Sequence, residues 1–206
     1  MGRLAIFGAG GHGRVVAEIA LLSGWEPVDF YDNGSGSNSQ LDGFSIQGSY
    51  ETLSEKFDYY DGFHVAIGAN DIRLSILRNL KEQKRKCPNI IHPSAIISKS
   101  SVFGCGVCVM PQVVVNSFCK IGDGAILNTA ATVDHDCEIA CGVHISPGVH
   151  LAGGVFVGER TWIGIGASVI NGVKIGHDTT IGAGSTVISD IPSGVTAVGV
   201  PSKIIK

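Results

Sequence analysis

The spacing of apolar positions changes character once along these 206 residues, near position 90. Before it, short apolar runs alternate with stretches of helical period. Leu4-Ala5-Ile6-Phe7 and Val28-Asp29-Phe30-Tyr31 predict buried strands, Gly13 to Leu22 predicts a helix between them, and His64-Val65-Ala66-Ile67 predicts a further strand. Asp71 is placed to cap a helix over Ile72 to Gln83, and a loop rich in Gly, Ser and Asn is expected over 33–40. This alternation predicts a small parallel α/β domain over residues 1–88.

From Ile91 the rule is a step of six. Every sixth residue from Ile91 to Val187 is apolar, seventeen in succession, and the position four beyond it is small or β-branched (Ala125, Ala131, Cys137, Val143). With 44% of the chain apolar, chance agreement is on the order of one in a million, so the run marks a hexapeptide β-solenoid over residues 89–206. Three hexads close a triangular coil of about 18 residues, and the whole run makes roughly 5.7 coils, a prism about 27 Å tall. Glycines directly after the aliphatic residue, such as Gly122, Gly158, Gly164, Gly176 and Gly182, are expected to supply the turns. Cys119 and Cys137 fall at matching positions of neighbouring coils and are expected to stack inward without a disulfide.

Composition narrows the partners. A net charge of −3 suggests neither nucleic acid nor an anionic membrane. The one basic cluster, in the run Lys81-Glu82-Gln83-Lys84-Arg85-Lys86, reads as a solvated helix end or as an anion patch. No apolar stretch reaches bilayer length and the opening residues hold too short an apolar run for a signal peptide, so a cytoplasmic protein without membrane insertion is expected. The six cysteines, in spacings such as Cys105-x-x-Cys108 and Cys137-x-x-x-Cys141, assemble no zinc set; reduced thiols and no metal are expected.

Two stretches carry chemistry. Gly8-Ala9-Gly10-Gly11-His12-Gly13 follows a strand and opens a helix, with Asp32 about 20 residues on, the pattern that rests a pyrophosphate on a helix N-terminus. The stretch before the solenoid is too short for a two-half dinucleotide fold, so one nucleoside diphosphate is the economical ligand; a tight turn without a ligand is the alternative. His12 faces phosphate or sugar, or caps the helix. Further on, His135 stands between Asp134 and Asp136, two residues after the interior Val133, with small Ser117 and Gly153 in the same column of neighbouring coils. A histidine there, with an ordinary pKa of about 6.5, can accept a proton near neutral pH. Neighbours on a strand face opposite sides, so Asp136 can orient His135 only if the pair sits at a turn; Asp134 is its rival. His64, His92, His150 and His177 have no such constellation and read as structural.

The hexapeptide run, closed by Ile181-Gly182-Ala183-Gly184-Ser185-Thr186-Val187 and Gly199-Val200-Pro201-Ser202-Lys203, resembles the left-handed β-helix acyltransferases. The glycine loop, "AIGAND" at 66–71, "IIHPSA" at 90–95, and "NTAATVDHDC" with "VHISPG" from 128 to 148 are similar to the PglD/NeuD-like sugar acyltransferases over essentially the whole chain. That resemblance implies a Rossmann-like domain followed by a left-handed parallel β-helix, in a homotrimer with active sites between subunits. It implies acetyl-CoA-dependent N-acetylation of the 4-amino group of a UDP-linked 4-amino-4,6-dideoxy sugar of bacillosamine type, by direct attack. His135 would be the base, oriented by Asp136. His144 and the backbone of Gly153 would serve acetyl-CoA or the oxyanion, with Ile165 and Ala183 along the pantetheine arm. Gly8, Gly10, Gly11, His12, Gly13, Asp32, Asn70 and Arg73 would hold the UDP-sugar. O-acetylation, as in the sialic-acid branch, and a non-catalytic nucleotide- or NAD-binding scaffold are the alternatives.

Overall fold

The computed structural model describes residues 2–34, 40–41 and 43–206, so most of the loop expected over 33–40 lies outside the described residues. The chain forms two compact units, Met1–Pro93 and Ser94–Lys206. Residues 89–93, which the step of six counts at the head of the solenoid, are grouped with the first unit. Ile90 is fully buried there, and the Ile91 carbonyl accepts a hydrogen bond from Ser23 Oγ at 3.1 Å.

The first unit runs β1 (Leu4–Phe7), α1 (Gly11–Leu22), β2 (Val28–Tyr31), β3 (Gln40–Leu41), β4 (Phe44–Gly48), α2 (Tyr50–Ser54), β5 (Gly62–Val65) and α3 (Asn70–Glu82). The sheet order is β3-β4-β2-β1-β5; β4, β2, β1 and β5 are parallel and β3 is an antiparallel edge. β1 lies between β2 and β5 and is buried at every residue, as a continuous apolar run in a parallel sheet should be. α1 buries Gly13, Val16, Ala17, Ile19 and Ala20, a stripe of helical period.

Three local expectations are corrected. α1 begins two residues before Gly13, on an unadorned Gly10 cap. β5 lies two residues earlier than expected, because Gly62 and Phe63 pair with Leu4 and Ala5. Asp71 is not the cap of α3: Ala69 is, and Asp71 sits in the first turn, where its charge still favours the helix N-terminus.

The second unit is a left-handed parallel β-helix of two-residue strands separated by turns. Its first face stacks Ile96–Ile97, Val114–Val115, Thr132–Val133, His150–Leu151, Ser168–Val169 and Thr186–Val187. The second stacks Val102–Phe103, Lys120–Ile121, Glu138–Ile139, Phe156–Val157 and Lys174–Ile175; the third includes Cys108–Val109, Ile126–Leu127, His144–Ile145, Trp162–Ile163 and Thr180–Ile181. Register follows the 18-residue coil, with Val115 opposite Val133 and Ile121 opposite Ile139. The hexad aliphatics from Val109 to Val187 are buried, and so are the corner residues from Ala125 to Ser185. Cys119 and Cys137 are free thiols, each 1% exposed.

The glycines after the aliphatic residue do a different job from the one expected. Left-handed φ values fall two positions later, at Gly124, Gly142, Gly154 and Gly166, and at Phe118, Asp136 and Asp178 among other non-glycine residues. Gly122, Gly158 and Gly164 are instead pressed against the next coil: a Cβ on Gly158 would lie 2.4 Å from the His177 backbone nitrogen. Close approach of one coil to the next, and not a turn dihedral, excludes a side chain there.

Candidate active site

His135 and Asp136 occupy the corner that leads from the first face to the second. Asp136 has φ +59°, in the left-handed region that Asp tolerates better than most residues. That reversal brings its side chain round to the ring, and Asp136 Oδ2 accepts from His135 Nδ1 at 2.8 Å. Asp134 is turned away: its Oδ1 accepts from Asn116 Nδ2 and from the His135 backbone N–H, both at 2.8 Å. The carboxylate bonded to the ring is therefore that of Asp136, while Asp134 shapes the corner.

The electrostatics agree. The hydrogen bond to Asp136, followed by the charge of Asp134, raises the His135 pKa above its ordinary value. A bond at Nδ1 to a carboxylate places the proton there and leaves Nε2 as a lone pair directed outward. The ring is 61% exposed. Beneath it lies Gly153, where a Cβ would meet His135 Cε1 and Nε2 at 2.6 Å. A cavity of about 460 Å³ adjoins this corner, lined in part by Asn116, Asp134, His150, Ala152 and Ile170.

Not every expected partner is gathered here within one chain. His144 sits on the third face, stacked on Trp162 with ring centroids 5.8 Å apart and planes 8° apart, and within 3.3 Å of Asn128 Nδ2. Ile165 and Ala183 are exposed and share the corner between the third face and the first. Asn128 and Trp162 were not singled out from the sequence. Their position beside His144 follows from the 18-residue coil, which sets Trp162 in register with it.

His177 was read as structural for want of neighbours, and the structure corrects that reason. His177 Nδ1 lies 2.8 Å from Asp178 Oδ2, and Asp178 has φ +53°, so the pair repeats the His135–Asp136 geometry at the corner between the second and third faces. Its carboxylate is engaged twice over, by Arg160 Nε at 2.7 Å and Arg160 Nη2 at 2.6 Å, which holds it well down at a pKa of about 2. Cys119 and Cys137 are sealed in the interior and present no nucleophile. Among the described residues, no group of three or more His, Cys, Asp or Glu side chains is placed to hold a metal ion.

In the first unit the glycine loop divides its labour. Gly8 has φ +110°, and a Cβ on Gly13 would fall 2.0 Å from the Gly8 carbonyl oxygen, so these two close the strand against the helix. Gly10 has open space where its Cβ would be, and Gly11 meets only the tip of Arg14 at 3.9 Å, leaving backbone accessible at the start of α1. Asp32 closes the loop: Oδ2 accepts from Ala9 N at 2.8 Å and Oδ1 from Gly34 N at 2.7 Å.

Arg73, expected on the edge of the ligand site, is 1% exposed and turned inward. Its guanidinium donates to the carbonyls of Ile67 and Gly68 and to Asn70 Oδ1, bracing the loop after β5. Burial, with the charge of Arg73 adding to it, lowers the His12 pKa to about 4, and its buried Nε2 has no hydrogen-bond partner among the described residues. A separate cavity of about 380 Å³, lined by Asp29, Gln47, Glu55, Lys56, Asp58, Tyr59 and Tyr60, lies toward the opposite ends of β2 and β5. The glycine loop lies at the carboxyl ends of the strands, the end at which sheets of this kind bind ligands.

Residues 3–80 match the model of the PglD N-terminal domain, and residues 154–189 match that of the bacterial transferase hexapeptide, six repeats. Fold and motifs thus define a hexapeptide-repeat transferase with a PglD-type N-terminal domain. PerB from Caulobacter crescentus, solved in complex with CoA and GDP-perosamine, is 41% identical, with a TM-score of 0.94 over 100% of this chain and 98% of that one. The acetyltransferase domain of PglB from Neisseria gonorrhoeae, solved with acetyl coenzyme A, is also 41% identical, with a TM-score of 0.94 over 98% of each chain. A Bacillus subtilis UDP-N-acetylbacillosamine N-acetyltransferase is 34% identical over 126 residues, 53% of this chain; the match spans about half (52%) of that curated relative. The chain belongs to the PglD/NeuD-like family of hexapeptide sugar acyltransferases.

Proposed function

We propose that the protein transfers the acetyl group of acetyl-CoA to the amino nitrogen of a sugar carried on a nucleoside diphosphate. The observation that carries this is the His135–Asp136 pair, a base with its tautomer fixed at an exposed corner above Gly153. The amine attacks the thioester carbonyl and the C–N bond forms. His135 Nε2 takes the proton the nitrogen must lose, the C–S bond breaks, and the departing thiolate is protonated. The backbone N–H of Gly153 and the His144 ring are the proposed donors to the oxyanion and acetyl-CoA, with Ile165 and Ala183 along the pantetheine arm. No covalent acyl-enzyme is invoked.

The first unit holds the nucleoside diphosphate on the glycine loop, with Gly10 and Gly11 toward the phosphates, His12 and Asn70 beside the ligand, and Asp32 and Arg73 bracing the loops that receive it. The preferred acceptor is a UDP-linked 4-amino-4,6-dideoxy sugar of bacillosamine type. A GDP-linked amino sugar is the second reading, favoured by the full-length match to a protein solved with GDP-perosamine.

A homotrimer with active sites between prisms is part of the proposal. The corners bearing His135 and Ile165 are different corners of one prism, so a complete site calls for a neighbour. The charged Lys120, Glu138 and Lys174 all project from the second face, while the outward strand residues of the first face, and of the third face from Cys108 to Thr180, are uncharged apart from histidine, as suits faces covered by neighbours. No helix among the described residues is long and apolar enough to cross a membrane, and a cytoplasmic site of action fits both proposed substrates.

The test is incubation with acetyl-CoA and, separately, UDP- and GDP-linked 4-amino sugars and a hydroxyl-only nucleotide sugar, followed by mass spectrometry. Acetylation of an amino sugar alone is expected. Acetylation of the hydroxyl-only sugar alone would establish O-transfer, and stabilisation of the protein by NAD with no transfer would leave only a binding scaffold. Native mass spectrometry checks the trimer.

A further inference from the structure

The coil before His135 carries an outlier. Phe118 has φ +61°, in the left-handed region that a bulky residue rarely adopts, and it is 67% exposed. The other left-handed residues stacked at this corner are Asp136, Gly154 and Gly172, types that tolerate the conformation. Neither burial nor turn chemistry accounts for a phenylalanine here. Backbone strain kept at an exposed position points to a task in the site beside it.

Register says which site. Val115 lies opposite Val133 and Lys120 opposite Glu138, so Ser117 stacks on His135 and Phe118 on Asp136. The corner peptides are joined directly, because the Asp136 N–H donates to the Ser117 carbonyl at 3.0 Å. With nearly the same φ, the Phe118 side chain leaves the prism in the direction Asp136 takes, one strand spacing of about 4.8 Å away. Asp136 and Asp178, at such a φ, both turn back to the ring of the residue before them. The same exit carries the Phe118 ring toward the space over Ser117, beside the base.

Chemistry then selects the group that meets it. Gly153, Ile165 and Ala183, proposed above for acetyl-CoA, all follow His135 in the stack, which leaves the acceptor amine the side of Ser117 and Phe118. In a sugar reacting at a C4 amine, the substituents nearest the nitrogen are those on the flanking carbons, C3 and C5. The C3 substituent is polar. The C5 substituent is a methyl in a 6-deoxy sugar and a hydroxymethyl otherwise, and a phenyl wall meets the methyl without leaving a hydroxyl unpaired.

We propose that Phe118 is a specificity-determining residue that packs on the C6 methyl of the acceptor and selects 6-deoxy sugars over those that keep the 6-hydroxyl. The proposal rests on the acetyl-transfer reading above and narrows its acceptor.

The test compares kcat/KM for a nucleotide-linked 4-amino-4,6-dideoxy sugar with that for the counterpart keeping its 6-hydroxyl, on whichever nucleoside diphosphate the native full-length protein accepts. A native preference of about 10- to 10²-fold for the 6-deoxy sugar is expected, the range in which an apolar wall rejects an added hydroxyl. Phe118→Leu, still apolar, should keep most of it. Phe118→Asn, which suits the left-handed φ and can hydrogen-bond the hydroxyl, should bring the ratio close to one. Native mass spectrometry of the variants accompanies the rates. Equal turnover of the two sugars by the native protein, or a native preference surviving in Phe118→Asn, overturns the proposal. So does a parallel fall on both sugars with loss of the oligomer, which would make Phe118 a subunit contact. Acetylation of neither sugar by the native protein would remove the transfer reading and the proposal with it, whereas equal acetylation of both removes the proposal alone.

Discussion

Gly153→Ala is the most informative single change, because the structure says what it moves and what it leaves alone. The φ of Gly153 is not in the left-handed region, so alanine brings no backbone strain. The new methyl carbon would meet the His135 ring at 2.6 Å, where ordinary contact begins at 3.4 Å, so the ring must retreat by about 0.8 Å. A ring 61% exposed can retreat into solvent at little cost, and stability should change by no more than about 0.5 kcal/mol, or about 2 °C in Tm. Turnover is another matter, since a reacting group displaced by about 1 Å loses on the order of 10²-fold in rate, about 2.7 kcal/mol of activation free energy. Thiol release from acetyl-CoA measures the rate and a thermal melt measures the fold. The change is then repeated in His135→Ala: if it acts only through the ring, it costs nothing further in that background. Native turnover in Gly153→Ala, or a second 10²-fold loss on top of His135→Ala, refutes the reasoning.

Three other outcomes follow from the same geometry. Asp136 raises the His135 pKa, and the base works only when neutral, so the native kcat/KM should climb with pH through a raised pKa; Asp136→Asn should move that limb to lower pH and lower the plateau by up to about 10⁴-fold through the wrong tautomer. His177→Ala should leave turnover within about twofold of native, because resemblance to the His135 pair is not enough without the open Gly153 column; a loss like that of His135→Ala would defeat this distinction. His64, 1% exposed, has its pKa lowered by burial to about 4. The unfolded chain protonates this group near 6.5 and the folded one does not, so its contribution is full above pH 6.5 and is lost as pH falls toward 4, on the order of 3 kcal/mol. Denaturant unfolding at pH 7 and pH 5 should show the decline, and His64→Leu should flatten it.

The solenoid was legible because its rule is linear: a six-residue step is written along the chain, and the coil converts it directly into faces. The strands of the first unit were legible for the related reason that buried parallel strands are continuous apolar runs. What escaped depends on dihedrals or on neighbours distant in sequence. Nothing in Val133-Asp134-His135-Asp136 announces that Asp136 has φ +59°, and that dihedral decides which carboxylate meets the ring. The resemblance places Arg73 with Asn70 among the residues holding the UDP-sugar; only the fold shows its guanidinium turned inward onto the carbonyls of Ile67 and Gly68. Asn128 and Trp162 become partners of His144 through the coil repeat, so the period could have found them, but only once His144 had been given a purpose.

The 18-residue coil also acts as a dial. His135 and His177 are 42 residues apart, seven hexads, so the second pair stands two and a third revolutions further along and looks out in a different direction. Removing or adding one hexad between two functional residues turns one of them through a third of a revolution, whereas three hexads only raise or lower it. Indels in this half of the molecule should therefore be tolerated by phase before length: a change of 18 residues on either side of His135 keeps its outlook, and a change of six points it at the wrong neighbour.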